Sequence, residues 1–133
     1  MMFELAKELK RDCIEIADWS LCKVLLMNDS QYPWFILVPK VEGARDIIDL
    51  TEQQQNQLQL ESRQLQHLIR EVFSPYKLNV AALGNVVEQL HIHHIARYQN
   101  DIAWPQPVWG AFPVKPYSNE QLLQLIEQFN LTE

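Results

Sequence analysis

The sequence predicts an α+β fold, with one antiparallel sheet, one long helix and shorter terminal helices. Short apolar runs in the first third of the chain are typical of strands, residues 51–73 repeat apolar side chains at helical spacing, and residues 89–97 alternate as a strand does. With 133 residues, 47% of them hydrophobic, the chain has the size of one domain. We expect a single domain over 1–133, with its core at about 12–110 and a C-terminal arm and helix at 111–133.

The first third of the chain predicts a short helix followed by three strands. The helix is expected at residues 3–11, and the strands at 13–19, 21–27 and 34–38. Residues 28–31 have the composition of a turn. The third strand is a continuous apolar run, which predicts burial on both faces, and Pro39 ends it.

A long helix is predicted from Thr51 to Phe73. Thr51 and Gln54 have the spacing of a capping box, in which each side chain bonds the other residue's backbone. A second strand region follows at 77–83, and Gly84 with Asn85 predicts a turn into the alternating segment. This order of elements predicts a hairpin.

The C-terminal part begins with residues 104–110 (WPQPVWG), which can continue neither a helix nor a central strand because of their prolines. We expect an ordered loop or arm there. Ser118 and Gln121 form a second capping-box pattern, and apolar residues at 122, 125, 126 and 129 predict a final amphipathic helix.

The alternating segment 89–97 carries the residues with the most chemistry. Side chains alternate across a strand, so one face holds four polar residues and the other is mostly apolar. The polar set is Gln89, His91, His93 and Arg97, and the opposite set is Leu90, Ile92, His94 and Ala96. We expect the apolar face to be buried, with His94 in the core, and the two imidazoles and the guanidinium to stand together as a phosphate-handling active site.

The charge of the chain limits its partners. The formal net charge is −6 and the pI is about 5.2, with no block of Lys and Arg, so we expect no nucleic-acid surface, although a small nucleotide remains compatible. Charged residues in the first twelve positions argue against a signal peptide, and no apolar run reaches the ~20 residues of a membrane span. We therefore expect a cytoplasmic protein without a membrane partner.

Cysteine and histidine usage predicts neither a metal nor another cofactor. Cys13 and Cys22 lie in apolar stretches, as reduced core thiols do. His91 and His93 would supply only two metal ligands, and no Asp, Glu or Cys stands at a supporting spacing.

Residues 84–97 (GNVVEQLHIHHIAR) resemble the signature of the histidine triad (HIT) superfamily, His-x-His-x-His followed by two apolar residues. Residues 35–40 (FILVPK) resemble the strand of that superfamily that ends in Pro-Lys. A long helix between the two and a Trp-Pro segment after them also match, so that the resemblance covers about 21–110. It implies a HIT-like fold, a small-molecule nucleotide substrate and a homodimer.

The three histidines do not alternate strictly, so two alignments with the family signature are open. One places Gln89, His91 and His93 at the three triad positions. The other places His91, His93 and Ile95 there. We favour the first, because Gln89 can still form hydrogen bonds whereas Ile95 cannot replace a polar contact.

The resemblance assigns a role to each triad position. The middle histidine of the family attacks the α-phosphorus of a nucleotide and forms a nucleotidyl-histidine intermediate, which makes His91 the nucleophile. The third contacts the phosphate or the leaving group, which points to His93. The first orients the nucleophile, and Gln89 stands there in place of histidine.

Five further residues resemble nucleotide-binding positions, each with a structural alternative. Asn28 and Asp29 match the place where the family holds ribose hydroxyls, but could instead form a hydrogen-bonded turn. Asn79 and Asn85 resemble residues that approach the phosphate, and could instead cap the hairpin. Trp104 could reach over a site, across a dimer, or be a packed aromatic anchor.

The resemblance leads to two hypotheses of function. The first is a hydrolase of nucleoside phosphate derivatives, such as phosphoramidates, dinucleotides or nucleotidyl conjugates. The second is a nucleotide-binding or partner-binding module with weak catalysis. A nucleotidyl transferase would need a second substrate pocket, which the sequence does not identify.

Overall fold

The computed structural model describes residues 2–132 and contains one five-stranded sheet in which all neighbouring strands are antiparallel. The strand order is β1-β2-β3-β5-β4. The strands are β1 Cys13–Asp18, β2 Cys22–Met27, β3 Trp34–Pro39, β4 Lys77–Ala81 and β5 Ile92–Arg97. Because β3 pairs with β5, the histidine-bearing strand lies inside the sheet and not at its edge.

Three α-helices accompany the sheet: α1 Lys7–Asp12, α2 Glu52–Phe73 and α3 Asn119–Thr132, with a 3-10 helix at Ile47–Asp49. Both predicted capping boxes form. The Thr51 hydroxyl accepts from the Gln54 amide at 3.1 Å and the Gln54 side chain accepts from Thr51 N–H at 2.9 Å. Ser118 and Gln121 repeat this at α3 with the same two distances. The predicted α+β class is confirmed.

Each face of the sheet has its own core. Helices α2 and α3 cover one face, where Leu65, Ile69 and Phe129 pack against Phe35 and Leu37. His94 points into this core, as predicted, and is fully buried. Its Nδ1 donates to the Ile92 carbonyl, so its Nε2 accepts from the Ser62 hydroxyl on α2 at 2.7 Å.

The other face of the sheet, which carries His91, His93 and Arg97, is also covered. Leu9 of α1 and Ala103 and Val108 of the proline-rich loop pack there against Trp34 and Ile36. As a consequence His91, His93 and Arg97 are only 5%, 3% and 1% exposed. Among residues 2–132, no helix has both the length and the apolar character needed to cross a bilayer.

Element boundaries differ from the prediction around the first helix and the histidine strand. Helix α1 begins at Lys7 and not at residue 3, because the Ala6 amide is held by the distant Gln89 side chain. Strand β5 begins at Ile92, and residues 82–91 form a long connection in place of a tight hairpin turn. Within this connection, Leu90 does not pair with β4. Its N–H donates instead to the Ala44 carbonyl at 3.0 Å.

Candidate active site

A cavity of about 350 Å³ lies at the end of the sheet where β5 begins. Its floor is His91, His93, Trp34 and Ile36, and residues 83–87 form one wall. The remaining lining residues are Glu8, Leu9, Asp12, Met27 and Trp109. Its volume is in the lower range of small-ligand sites, and its lining combines apolar surface with a few polar groups as such sites do.

His91 lines this cavity and has one ring nitrogen without a hydrogen-bond partner among the described residues. Its Nδ1 lies 2.7 Å from the Gln89 carbonyl oxygen, which can only accept, so the proton of the neutral ring is on Nδ1. The lone pair is then on Nε2, which has no hydrogen-bond partner among the described residues. The hydrogen bond to Gln89 therefore fixes the tautomer of the ring and leaves Nε2 unprotonated.

His93 lies edge-on to His91, with ring centroids 4.9 Å apart, and both of its ring nitrogens are engaged. The Trp34 indole N–H donates to Nδ1 at 3.0 Å, which leaves the proton on Nε2 to be donated to the Leu83 carbonyl at 3.0 Å. Burial lowers the pKa of His93 from the ordinary imidazole value of 6.5 to about 4. The ring is therefore neutral at physiological pH.

Gly84 is required where the 83–87 wall touches His91. A Cβ at this position would lie 2.7 Å from His91 Cε1 and 2.6 Å from the Val87 carbonyl oxygen. Both distances are far below van der Waals contact, so any side chain would displace the imidazole or the wall.

We expect Gly84→Ala to lower the free energy of unfolding by about 1–3 kcal/mol through overpacking. The His91 Cε1 proton resonance should shift, because the new methyl group meets that atom. Gly43→Ala is the matched control: its Cβ meets open space but its φ of +78° strains the backbone. It should lower stability without moving the His91 resonance, and an unchanged resonance in Gly84→Ala would contradict the close contact.

Gln89 borders the site through its backbone, while its side chain points to the N-terminal segment. Its carbonyl oxygen orients His91, and its side-chain amide bonds to Glu4 and Ala6. Gln89 itself lines a second, polar cavity on the other side of His91, together with Arg45, Asp46 and Asn85.

Asn28 and Asp29 do not line the cavity that holds the two histidines. The Asp29 carboxylate is buried and accepts from the Gln31 amide at 3.1 Å, the hydrogen-bonded turn that was the alternative reading of this sequence. Asn28 accepts from Tyr117 N–H at 2.9 Å, and Lys115 N–H lies 3.4 Å from Asp29. Both side chains thus hold the C-terminal arm, and a contact of Asp29 with ribose stays a prediction.

Arg97, Asn79 and Trp104 form a separate cluster in which Arg97 is buried, so Arg97 does not stand beside the imidazoles as expected. The guanidinium bonds both carboxylate oxygens of Asp101, at 2.9 and 3.2 Å, and the Asn79 side chain at 2.8 Å. Trp104 packs against Arg97 and edge-on against Tyr76, as a packed anchor does. None of these residues lines the histidine cavity.

Asn85 is the predicted nucleotide-binding residue that the fold does bring to the site. It lines the histidine cavity and also the polar cavity beyond His91. Sequence reasoning missed Trp109, which stacks edge-on against His93 at 5.1 Å, and Glu8 and Leu9 of α1. The composition of residues 104–110 indicated that a tryptophan reaches the site. Trp104 is the residue predicted from the sequence, whereas Trp109 lines the cavity.

The described residues contain no group of three or more His, Cys, Asp or Glu side chains placed to hold a metal ion. Cys13 and Cys22 are free thiols, and burial raises the pKa of Cys13 to about 12. Thiolate chemistry at neutral pH therefore has no support from these side chains.

Comparison with known proteins identifies the family of this chain. Residues 8–100 match the model of the HIT domain family. Three solved structures of bacterial histidine triad proteins superimpose over nearly the whole chain. They come from Marinobacter aquaeolei (48% identity, TM-score 0.96, covering 99% of this chain and 96% of that one), Bradyrhizobium japonicum (42%, 0.97, 99% and 98%) and Sinorhizobium meliloti (36%, 0.95, 98% and 97%).

A comparison with curated proteins finds no match. The family model alone covers most of the chain, and the three solved structures extend the likeness to both terminal segments. The chain therefore belongs to the histidine triad (HIT) family.

Proposed function

We propose that this protein is a hydrolase that acts on the α-phosphate of nucleoside phosphate derivatives through a covalent nucleotidyl-histidine intermediate on His91. The observation that carries this proposal is the state of the His91 ring. Its Nδ1 is committed to the Gln89 carbonyl, its Nε2 has no protein partner among the described residues, and His91 lines a ligand-sized cavity.

The alignment that places His91 in the middle of the triad is supported by the same geometry. In the alternative, His93 would be the nucleophile, yet both of its nitrogens are hydrogen-bonded to Trp34 and Leu83. Ile95 would then be the third member, and it is fully buried in the core under the proline-rich loop. Neither residue has an atom free for the phosphate.

We assign phosphate binding to the wall at 84–87. The backbone amides of Asn85, Val86 and Val87 have no acceptor among the described residues, and these three residues line the cavity together with His91. Preorganised N–H groups of this kind stabilise charge that develops on a reacting oxygen. The Asn85 side chain lines both cavities and is a further donor.

His93 is assigned to the phosphate or the leaving group, as the family resemblance implies. In the structure, His93 Nε2–H donates to the Leu83 carbonyl. To contact the phosphate or the leaving group, His93 has to exchange this hydrogen bond for one to the substrate. Hydrogen bonds of catalytic groups commonly rearrange in this way between the free enzyme and the complex.

The reaction has two steps. In the first, His91 Nε2 forms a bond to the α-phosphorus while the bond from phosphorus to the leaving group breaks, and the leaving group takes up a proton from solvent. In the second, water attacks the phosphorus, the P–N bond breaks, one proton returns to solvent, and a nucleoside monophosphate leaves the restored imidazole. The apolar walls, Leu9, Met27 and Trp109, are the proposed contact surface for the nucleoside.

One observation favours the alternative of a nucleotide-binding or partner-binding module with weak catalysis. No Lys or Arg side chain of the described residues lines the cavity that holds both histidines, whereas Glu8 and Asp12 do. A phosphate there would depend on neutral donors for its stabilisation. Homodimer formation, which the family resemblance implies, also stays a proposal.

The intermediate provides the direct test. Wild type and His91→Asn would be mixed with a fluorogenic adenosine phosphoramidate, quenched in alkali within the first turnover, and analysed by intact mass and peptide mapping. Alkali is used because the P–N bond of a phosphohistidine is labile in acid. We expect one adenylyl group on the peptide that contains His91, and none in the variant.

Other outcomes discriminate between the hypotheses. An adduct on His93 would transfer the nucleophile role to that residue. Turnover without an adduct would argue for direct attack by water. Adenosine monophosphate binding without turnover or adduct would favour the binding module.

A further inference from the structure

The side chain of Gln89 joins two parts of the chain that are more than eighty residues apart. Its Oε1 accepts from the Ala6 amide and its Nε2 donates to the Glu4 carbonyl, both at 2.8 Å. These two backbone groups flank Leu5 and point to the same side of an extended segment, as the groups that a neighbouring strand would bond do. The contact is to the backbone only, so it is independent of the side chains of residues 4 and 6.

This pair of contacts explains why a glutamine suits the first triad position in this chain. A primary amide presents its oxygen and its N–H side by side, and so can bond two backbone groups in one direction. The two nitrogens of an imidazole point away from each other and cannot reach both groups. A glutamate at position 89 would still accept from the Ala6 amide. It would have no N–H for the Glu4 carbonyl, and its carboxylate oxygen would repel that carbonyl oxygen.

The segment that Gln89 holds leads directly into one wall of the reaction cavity. Ala6 is the residue before α1, and α1 carries Glu8, Leu9 and Asp12 to the cavity lining. The helix has only six residues, too few to be stable alone, so its position depends on its anchors. Those anchors are Gln89 before the helix, the buried Leu9 within it, and β1 directly after it.

The same residue orients the nucleophile, but with a different atom. His91 Nδ1 donates to the backbone carbonyl of Gln89, which any residue at position 89 would provide. Substitution of Gln89 should therefore free the N-terminal segment from its two hydrogen bonds. It should leave the tautomer of His91 unchanged. This separation predicts an effect on substrate binding without a matching effect on the chemical step.

From these contacts we propose that Gln89 is a positioning residue whose side chain fixes the N-terminal segment as the nucleoside-side wall of the cavity. The kinetic part of this inference rests on the proposed function. The structural part concerns only the attachment of residues 4–12 and can be measured without turnover.

The test compares wild type with Gln89→Ala, Gln89→Glu and the control Gln59→Ala, which replaces an exposed glutamine on α2. Amide hydrogen exchange at Ala6 and Lys10 should be about 30-fold faster in Gln89→Ala, the effect of two lost hydrogen bonds. Gln89→Glu should give an intermediate increase, and Gln59→Ala none.

Kinetics with the fluorogenic adenosine phosphoramidate, and adenosine monophosphate binding, complete the test. In Gln89→Ala we expect KM and the dissociation constant to rise about tenfold while kcat stays within about threefold, the pattern of lost binding that is shared by the ground and transition states. Unchanged exchange at Ala6 would overturn the attachment. Faster exchange with unchanged binding would overturn the role of the wall.

The two proposals fail in different ways. If wild type does not turn over the phosphoramidate, the hydrolase assignment fails, and the exchange and adenosine monophosphate measurements still decide the role of Gln89. If turnover is normal and Gln89→Ala lowers kcat with KM unchanged, the positioning proposal fails and the hydrolase assignment stands.

Discussion

Replacement of His91 by asparagine is expected to lower kcat for the adenosine phosphoramidate by about 10³-fold or more, the range found when a covalent nucleophile is removed. Asparagine retains a side-chain donor for the Gln89 carbonyl but has no nitrogen lone pair that can attack phosphorus. The loss should therefore come from chemistry and not from collapse of the site. Steady-state kinetics and adenosine monophosphate titration on both proteins measure it.

His67→Asn is the matched control for this experiment, because His67 is exposed on α2 and lies outside the histidine cavity. It should leave kcat and KM unchanged. In His91→Asn, adenosine monophosphate affinity should stay within about threefold of wild type, as expected when the lost interaction belongs to the transition state. Full activity in His91→Asn would rule out this residue as the nucleophile.

The parts of the fold that could be predicted from the sequence are those set by local interactions. The Thr51–Gln54 and Ser118–Gln121 capping boxes involve residues three positions apart, and both form as expected. The side to which His94 points follows from strand alternation, which holds because β5 lies inside the sheet.

The side-chain partners that could not be predicted from the sequence are those of long-range hydrogen bonds. Asn28 is engaged by Tyr117, 89 residues away, and Gln89 by Ala6, 83 residues away. The turn composition of residues 28–31 does not reveal the partner of Asn28. The place of Gln89 at the first triad position does not reveal its partner either. The order of side chains along β5 likewise suggested that Arg97 belongs with the histidines, whereas Asp101, four residues later, binds it.

Burial of two neutral histidines makes stability depend on pH. Burial lowers the pKa of both His93 and His94 from the ordinary value of 6.5 to about 4. Between these values the unfolded chain binds a proton on each ring and the folded chain does not, so acid favours unfolding. The free energy of unfolding should be at its full value above pH 6.5 and fall as the pH is lowered toward 4.

The expected loss is up to about 3 kcal/mol for each ring at the acid end of this range, from the relation between pKa and free energy. Protonation of His93 would also break a hydrogen bond, since the Trp34 indole N–H can only donate to His93 Nδ1, whereas the Ser62 hydroxyl can turn and accept from a protonated His94 Nε2. Urea unfolding at a series of pH values from neutral to about pH 4 measures the slope.

Direct titration of the rings separates these two histidines from other acid-sensitive groups. The Cε1 proton resonances of His93 and His94 should not titrate in the folded protein until the pH approaches 4. Asp12, Asp18, Asp49 and Asp101 all have lowered pKa values, so their contributions are lost only below the ordinary carboxyl range. A constant free energy of unfolding between pH 6.5 and 5 would contradict the lowered pKa of both rings.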